Sequence, residues 1–245
     1  MRPLKAPGRI VEALLDQPWL NKYQIARKLG LSYSRTHEAI ARLEKNGFLV
    51  SREIGKSKAG LPVKAYALSL AGLSAALFYD PARWKKIDEI AEKNKHLLPM
   101  IFGKWDLFKK HRCDEYIVLR LKNILKSVAV SSDQGEPFSN QHLAKVVQEE
   151  ILAPESAPKG LILAIISDPE LKRYSELTHE RRLLMARHLS ESMEKGLEAI
   201  KSGNPDLLIR ERETRLKNGS FRSRLDRLKE IEREIDKLFA MKFQS

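Results

Sequence analysis

Hydrophobic positions in the first third of the chain recur at helical spacing three times and then change period. Ile10, Val11, Leu14 and Leu15 share one face of residues 7–17. Ile25, Ala26 and Leu29 follow behind Asn21, a side chain suited to an N-cap, and Gly30 ends that run. A third run, capped by Ser32 or Ser34, repeats Thr36, Ala39, Ile40 and Leu43 until Gly47. The stretches FLVSREI and VKAYALSL are rich in β-branched and aromatic residues, and the GKSKAGLP between them has the composition of an exposed turn. The predicted order is helix, helix, helix, β-hairpin.

From Leu73 the pattern is helical again. Asp80-Pro81, Asp168-Pro169 and Asn204-Pro205 each join a capping side chain to a proline whose missing N–H is harmless in a first turn, so each marks a helix start. A helix over residues 107–130 aligns Ile117, Leu121, Ile124, Leu125 and Val128. Others are predicted over 141–152 and 178–202, with SSDQGEP and APESAPKG as loops. Near the end, Leu228, Ile231, Ile235 and Leu238 are spaced as a and d positions among charges. That seam either packs on the helical part of its own chain or pairs with a second copy; a homodimer is the expectation taken forward. The fold class is mainly α, divided into residues 1–80 with three helices and a hairpin, a helical domain over 81–205, and a C-terminal helical segment over 206–245.

Composition narrows the function. Of 245 residues 42% are hydrophobic and 31% charged, which is the balance of a folded globular chain. The apolar run from Leu161 to Ile166 is too short for a bilayer, and MRPLKAPGR leads into an amphipathic helix, so a cytoplasmic protein without a membrane partner is expected. Cys113 is the lone cysteine, which excludes an internal disulfide and a Cys-x-x-Cys site. The net charge of +13 is concentrated: residues 1–80 hold 13 Lys+Arg against 6 Asp+Glu, more than half of the excess. A polyanion partner is expected to dock there.

The second helix, the turn at Gly30 and the third helix make a helix-turn-helix, whose second member enters the major groove by its first turns. With Thr36, Ala39, Ile40 and Leu43 inward, Ser34, Arg35, His37, Glu38 and Arg42 face outward. Arg35 can fork onto guanine O6 and N7, Glu38 can accept from a cytosine amine, and Ser32 or Ser34 can bond a phosphate or base edge. His37 can bond either, and the helix N-terminus adds N–H groups for phosphate.

QIARKLGLSYSRTHEAIARLEKNGFLV, followed by the hairpin and YALSLAG, resembles the winged helix-turn-helix of MarR-like and PadR-like transcription regulators. The shared features are the LGLS turn, a Ser/Thr-rich helix closing in L-x-x-x-G, and a strand ending Y-x-L-[ST]-x-x-G, met here by Tyr66, Leu68, Ser69 and Gly72. The resemblance covers about residues 7–78. It implies that Ser34, Arg35, His37, Glu38 and Arg42 contact DNA from the recognition helix, with Arg52, Lys56, Lys58 and Lys64 on the wing. Lysines on a flexible Gly-rich tip independently suit phosphate or the minor groove.

Signals for catalysis are poor. GKSKAG lacks the Walker spacing, since Gly60 is followed by Leu61 and Pro62, and HERRL at His179 lacks a second histidine. No catalytic residue, metal ligand or cofactor is predicted. Trp84, Phe102, Trp105 and Phe108 either line an effector cavity or fill a core, and no ligand class is readable. The expected function is sequence-dependent double-stranded DNA binding for transcription regulation. A winged-helix adaptor within a protein assembly, with only non-specific DNA contact, is the alternative.

Overall fold

Asn21 and Gly30 bound the second helix as their side-chain chemistry dictates. Asn21 accepts from the Gln24 N–H at 2.8 Å while Gln24 Oε1 accepts from the Asn21 N–H at 2.8 Å, a reciprocal capping box. Gly30, at φ 62°, takes the left-handed turn and gives its N–H to the Ala26 and Arg27 carbonyls. The structure, a computed structural model, describes residues 6–131, 140–152, 157–202 and 219–243. It is mainly helical, with one small antiparallel sheet.

The first elements are α1 (Ala6–Asp16), β1 (Leu20–Asn21), α2 (Lys22–Leu29), α3 (Tyr33–Lys45), β2 (Leu49–Lys56), β3 (Pro62–Leu68) and α4 (Leu70–Tyr79). The hairpin β2–β3 is as the sequence predicts. The two-residue strand β1 was not expected; it pairs with β3, Leu20 facing Tyr66, so the sheet order is β1-β3-β2. A register shift between Glu53 and Gly55 bulges β2. Beneath the sheet, Ile10, Leu14, Ile25, Ile40, Leu68, Leu70 and Leu73 are each 0% exposed and form the core of this part.

Ser69 and Gly72 tie these elements together. The Ser69 hydroxyl oxygen accepts from the Gly72 N–H at 3.0 Å to cap α4, and its proton goes to the Gly47 carbonyl at 2.6 Å. The Ser69 N–H donates to the Phe48 carbonyl at 3.0 Å. A Cβ on Gly72 would lie 2.2 Å from that same Phe48 oxygen. Helix α4 therefore starts in backbone contact with the α3–β2 turn, and glycine alone fits.

Two 3-10 turns, Pro81–Lys86 and Phe102–Lys104, and helices α5 (Ile87–Lys93), α6 (Trp105–Lys110), α7 (Asp114–Ser131), α8 (Asn140–Leu152) and α9 (Lys159–Ser167) follow. The helix expected over 107–130 is broken, because Arg112 sits at φ 55° and separates α6 from α7. A side chain on Gly160 of α9 would meet the His111 carbonyl at 2.3 Å, so this corner is also a close approach. Ile117, Leu121 and Leu125 are buried along α7 as expected. Asp80-Pro81 opens a 3-10 turn and Asp168-Pro169 a long α-helix; Asn204-Pro205 and nearly all of SSDQGEP lie outside the described residues.

Two compact units result, Met1–Leu161 and Ile162–Ser245. The boundary expected at residue 80 falls inside the first. Arg83 there bridges Glu12 at 2.7 Å and Asp80 at 3.0 Å, Asn94 donates to the Leu15 carbonyl at 3.1 Å, and Ser74 donates to the Leu125 carbonyl. Phe102 and Phe108 are 1% and 0% exposed, and Phe102 meets Trp105 edge-to-face at 6.1 Å. These rings fill the core; Trp84 instead lies under the Lys122 ammonium at 5.5 Å.

In the second unit α10 (Pro169–Ser202) and α11 (Gly219–Phe243) run antiparallel. Their register is written in ion pairs: Arg173 with Glu234, Glu180 with Arg227 through two bonds of 2.7 and 2.8 Å, and Glu191 with Arg224 at 2.6 and 3.0 Å. Ile231 and Ile235 are 0% and 2% exposed. Of the seam expected to dimerise, Ile231 and Ile235 are thus buried within the single chain, while Leu228 and Leu238 are half-buried.

Replacing Gly72 by alanine is expected to destabilise the chain by about 1–3 kcal/mol, because the intruding methyl must displace backbone. Gly103→Ala, where a Cβ meets nothing within 4 Å, is expected to stay within about 0.5 kcal/mol of the parent. Urea unfolding midpoints of the two variants check both.

Candidate nucleic-acid interface

Helix α3 presents two chemically distinct faces. Thr36, Ala39, Ile40 and Leu43 are buried, and Thr36 Oγ1 donates to the Ser32 carbonyl at 3.0 Å. Ser34, Arg35, His37, Glu38 and Arg42 are all exposed, as the spacing predicts. At roughly 100° per residue they fall within an arc of about 160°, with Ser34 and Glu38 central. Arg35 and Arg42 share one edge, two turns apart, and His37 holds the other. Ser32 caps the helix, its oxygen accepting from the Arg35 N–H at 3.3 Å. The first turn therefore keeps free N–H groups directed past an exposed serine.

His37 has a fixed orientation. The Lys22 ammonium, from the start of α2, lies 2.9 Å from His37 Nδ1. An ammonium can only donate, so Nδ1 accepts and the ring proton sits on Nε2, facing away from Lys22. Such an imidazole offers a donor to a guanine or phosphate acceptor. Lys22 also lies 5.7 Å from the centre of the Tyr66 ring, which positions its stem.

The β2–β3 hairpin carries Arg52, Lys56, Lys58 and Lys64, all exposed. Its tip is ordered by backbone bonds: Ser57 N–H to the Leu61 carbonyl at 2.7 Å and Gly60 N–H to the Ser57 carbonyl at 2.9 Å, with Gly60 at φ 77°. Lys56 and Lys58 stand at this tip, whereas Lys64 sits opposite Glu53 across the strands. Arg52 differs from the other three. Its guanidinium stacks 4.2 Å from the centre of the Trp19 ring, whose residue adopts a left-handed φ of 64°. The same indole meets the His96 ring, with ring centres 4.9 Å apart and planes tilted by 55°.

Sequence reasoning missed Lys22, Tyr33, Lys45 and Trp19. Tyr33 is 58% exposed at the first position of α3, its ring 6.4 Å from His37. Lys45 continues the exposed face at its C-terminal end. Both sit at helical spacing from Glu38 and His37, so the same facing argument, extended by a turn each way, reaches them. Lys22 and Trp19 carry no such signal; only the packing of α2 and the sheet brings them to α3 and β2. Comparison with family models, curated proteins and solved structures finds no match for the chain.

Loss of water from the half-buried His96 ring pushes its pKa down to about 4. Its bond to the Leu68 carbonyl opposes that shift and the Arg52 charge adds to it. The folded chain refuses a proton that the unfolded chain takes below pH about 6.5. Stability is therefore full above that value and is lost as pH falls toward 4. Between pH 7 and pH 5 this histidine is expected to remove about 1–2 kcal/mol. His96→Phe, which keeps a ring against Trp19, is expected to abolish that share of the slope in urea unfolding at the two pH values; an unchanged slope would refute the assignment.

Proposed function

We propose that the chain binds double-stranded DNA in a sequence-dependent manner and regulates transcription, with α2–turn–α3 as a helix-turn-helix and the β2–β3 hairpin as its wing. The observation that carries this reading is the exposed face of α3, where guanidinium, imidazole, carboxylate and hydroxyl groups stand together on a helix whose other face is wholly apolar apart from Thr36. Solubility requires charge there but not this mixture. Each group has a base edge or phosphate it suits: Arg35 and Arg42 a guanine, Glu38 a cytosine amine, Ser34 and Tyr33 a phosphate or base edge. The exposed methyl of Ala41, on the same face, suits a thymine methyl.

The hairpin supplies the sequence-independent part. Lys56 and Lys58 on an exposed tip provide charge where a duplex backbone or minor groove would pass, and Arg52, held on Trp19, provides it at a fixed place. Phosphate contacts set register and base contacts carry specificity, so the hairpin and α3 divide the two roles that specific duplex binding requires.

Arg35→Ala is expected to weaken binding to a selected site by about 1–3 kcal/mol and to relax preference at one base step. Lys58→Ala is expected to weaken every duplex alike and to lower the salt slope by about one. The parent slope of log affinity against log salt is expected on the order of −4 to −7, for roughly 4–8 phosphate contacts. Selection from a random duplex pool followed by salt titration of parent and variants measures all three. Equal affinity for every sequence, or two variants indistinguishable from the parent, would favour the adaptor reading instead.

A further inference from the structure

Lys22 joins α2, the sheet and α3 through one side chain. It is the first residue of α2, directly behind the Asn21 capping box. Its ammonium lies 5.7 Å from the centre of the Tyr66 ring. Tyr66 is 2% exposed on the middle strand, paired to Leu20 on one side and Ser51 on the other, so the ring beneath Lys22 is a fixed platform. From there Nζ reaches His37 Nδ1, on the exposed face of α3, at 2.9 Å. Among the described residues no carboxylate pairs with Lys22, so none of them competes for that bond.

We infer that Lys22 determines specificity without reading a base: it fixes His37 as a hydrogen-bond donor at Nε2, so that the position under the imidazole takes guanine, adenine or thymine and rejects cytosine. The inference rests on the DNA reading above and deepens it. A neutral imidazole carries one ring proton, and its two tautomers present opposite chemistry at the same atom. With the proton on Nε2 that nitrogen donates; with the proton on Nδ1 it accepts. A lysine ammonium has N–H groups and no lone pair, so only the first tautomer satisfies Lys22. The second would set one N–H against another across 2.9 Å.

The major groove turns that choice into a base preference. Guanine shows N7 and O6, adenine N7 and thymine O4 as acceptors, whereas cytosine shows only its N4 amine. A donor at Nε2 therefore finds a partner on every base but cytosine, where it meets another N–H. Without Lys22 the ring takes either tautomer, and in the second Nε2 accepts from the cytosine amine. A lysine that served only as a cation beside a phosphate would act differently. Its removal would weaken every duplex alike and leave the choice of base unchanged.

The test has two arms. In the free chain at pH 8, long-range proton–nitrogen NMR of the histidine rings is expected to place the His37 proton on Nε2, and to show a mixture of tautomers in Lys22→Met. In the second arm a site is selected from a random duplex pool, and affinity is measured for all four base pairs at the position where His37→Ala loses preference. The parent is expected to bind the pair that sets cytosine under the imidazole about tenfold more weakly than the best pair. Lys22→Met is expected to cut that ratio to about twofold, and to leave it unchanged in a His37→Ala background. A ratio cancels phosphate contacts, which affect both duplexes alike. Lys22→Met that weakens all four pairs equally, a His37 spectrum that Lys22→Met does not change, or a His37→Ala variant that keeps every preference of the parent overturns the inference and leaves the DNA reading standing. A parent with the expected spectrum but equal affinity for every sequence overturns the DNA reading, and the base preference with it.

Discussion

The close approach of Gly72 to the Phe48 carbonyl constrains several elements of the first unit at once. Four elements meet there: α3 ends at Lys45, two residues before Gly47, β2 begins at Leu49, β3 ends at Leu68, and α4 begins at Leu70. Because Ser69 binds both the Gly47 and the Phe48 carbonyls, the end of α3 is clamped to the base of the hairpin. Backbone atoms make this clamp, and backbone cannot repack as side chains do. The angle between α3 and β2–β3 is consequently fixed, and with it the separation of the Arg35 edge from the Lys58 tip. Helix α4 carries the constraint onward through Ser74 to α7. The candidate interface is thus part of a larger compact unit, with no boundary at residue 80.

Local chemistry made much of this legible in the sequence. The facing of α3 follows from Thr36, Ala39, Ile40 and Leu43 alone, and the ends of α2 follow from Asn21 and Gly30, since caps and glycine turns are satisfied within a few residues. The hairpin is legible for the same reason. What escaped prediction depends on distant partners. Strand β1 is two residues long and exists only because β3 offers it a free edge. Arg112, at φ 55°, breaks the expected helix ahead of its apolar stripe, and the close approach of Gly160 to His111 lies 49 positions along the chain. The C-terminal stripe was read correctly as apolar and helical, yet periodicity states only that a face must be covered. Which helix covers it is decided by tertiary structure, here α10.

At the candidate interface, the groups are held to different degrees, and the differences follow from what anchors them. His37 is oriented by Lys22 and Arg52 by the Trp19 face. A side chain that is already oriented loses less rotamer freedom on contact, so such positions favour discrimination between ligands. Lys56 and Lys58 sit on an exposed tip; long cations of that kind contribute charge that tolerates variation in the path of a polyanion. His96 also meets Trp19, and burial holds its pKa down, which leaves Arg52 as the cation against that indole. A protonated ring there would set two cations against one indole. The shared contact with Trp19 therefore links acid stability to the placement of a hairpin arginine.

Helix α10 shows how ion pairs can set the register of a two-helix contact. Toward α11 it presents paired Arg–Glu forks along its length, and these select one register because a shift of a single residue would break several bidentate bonds at once. Each fork, being partly exposed, adds little free energy, so its role is specificity more than strength.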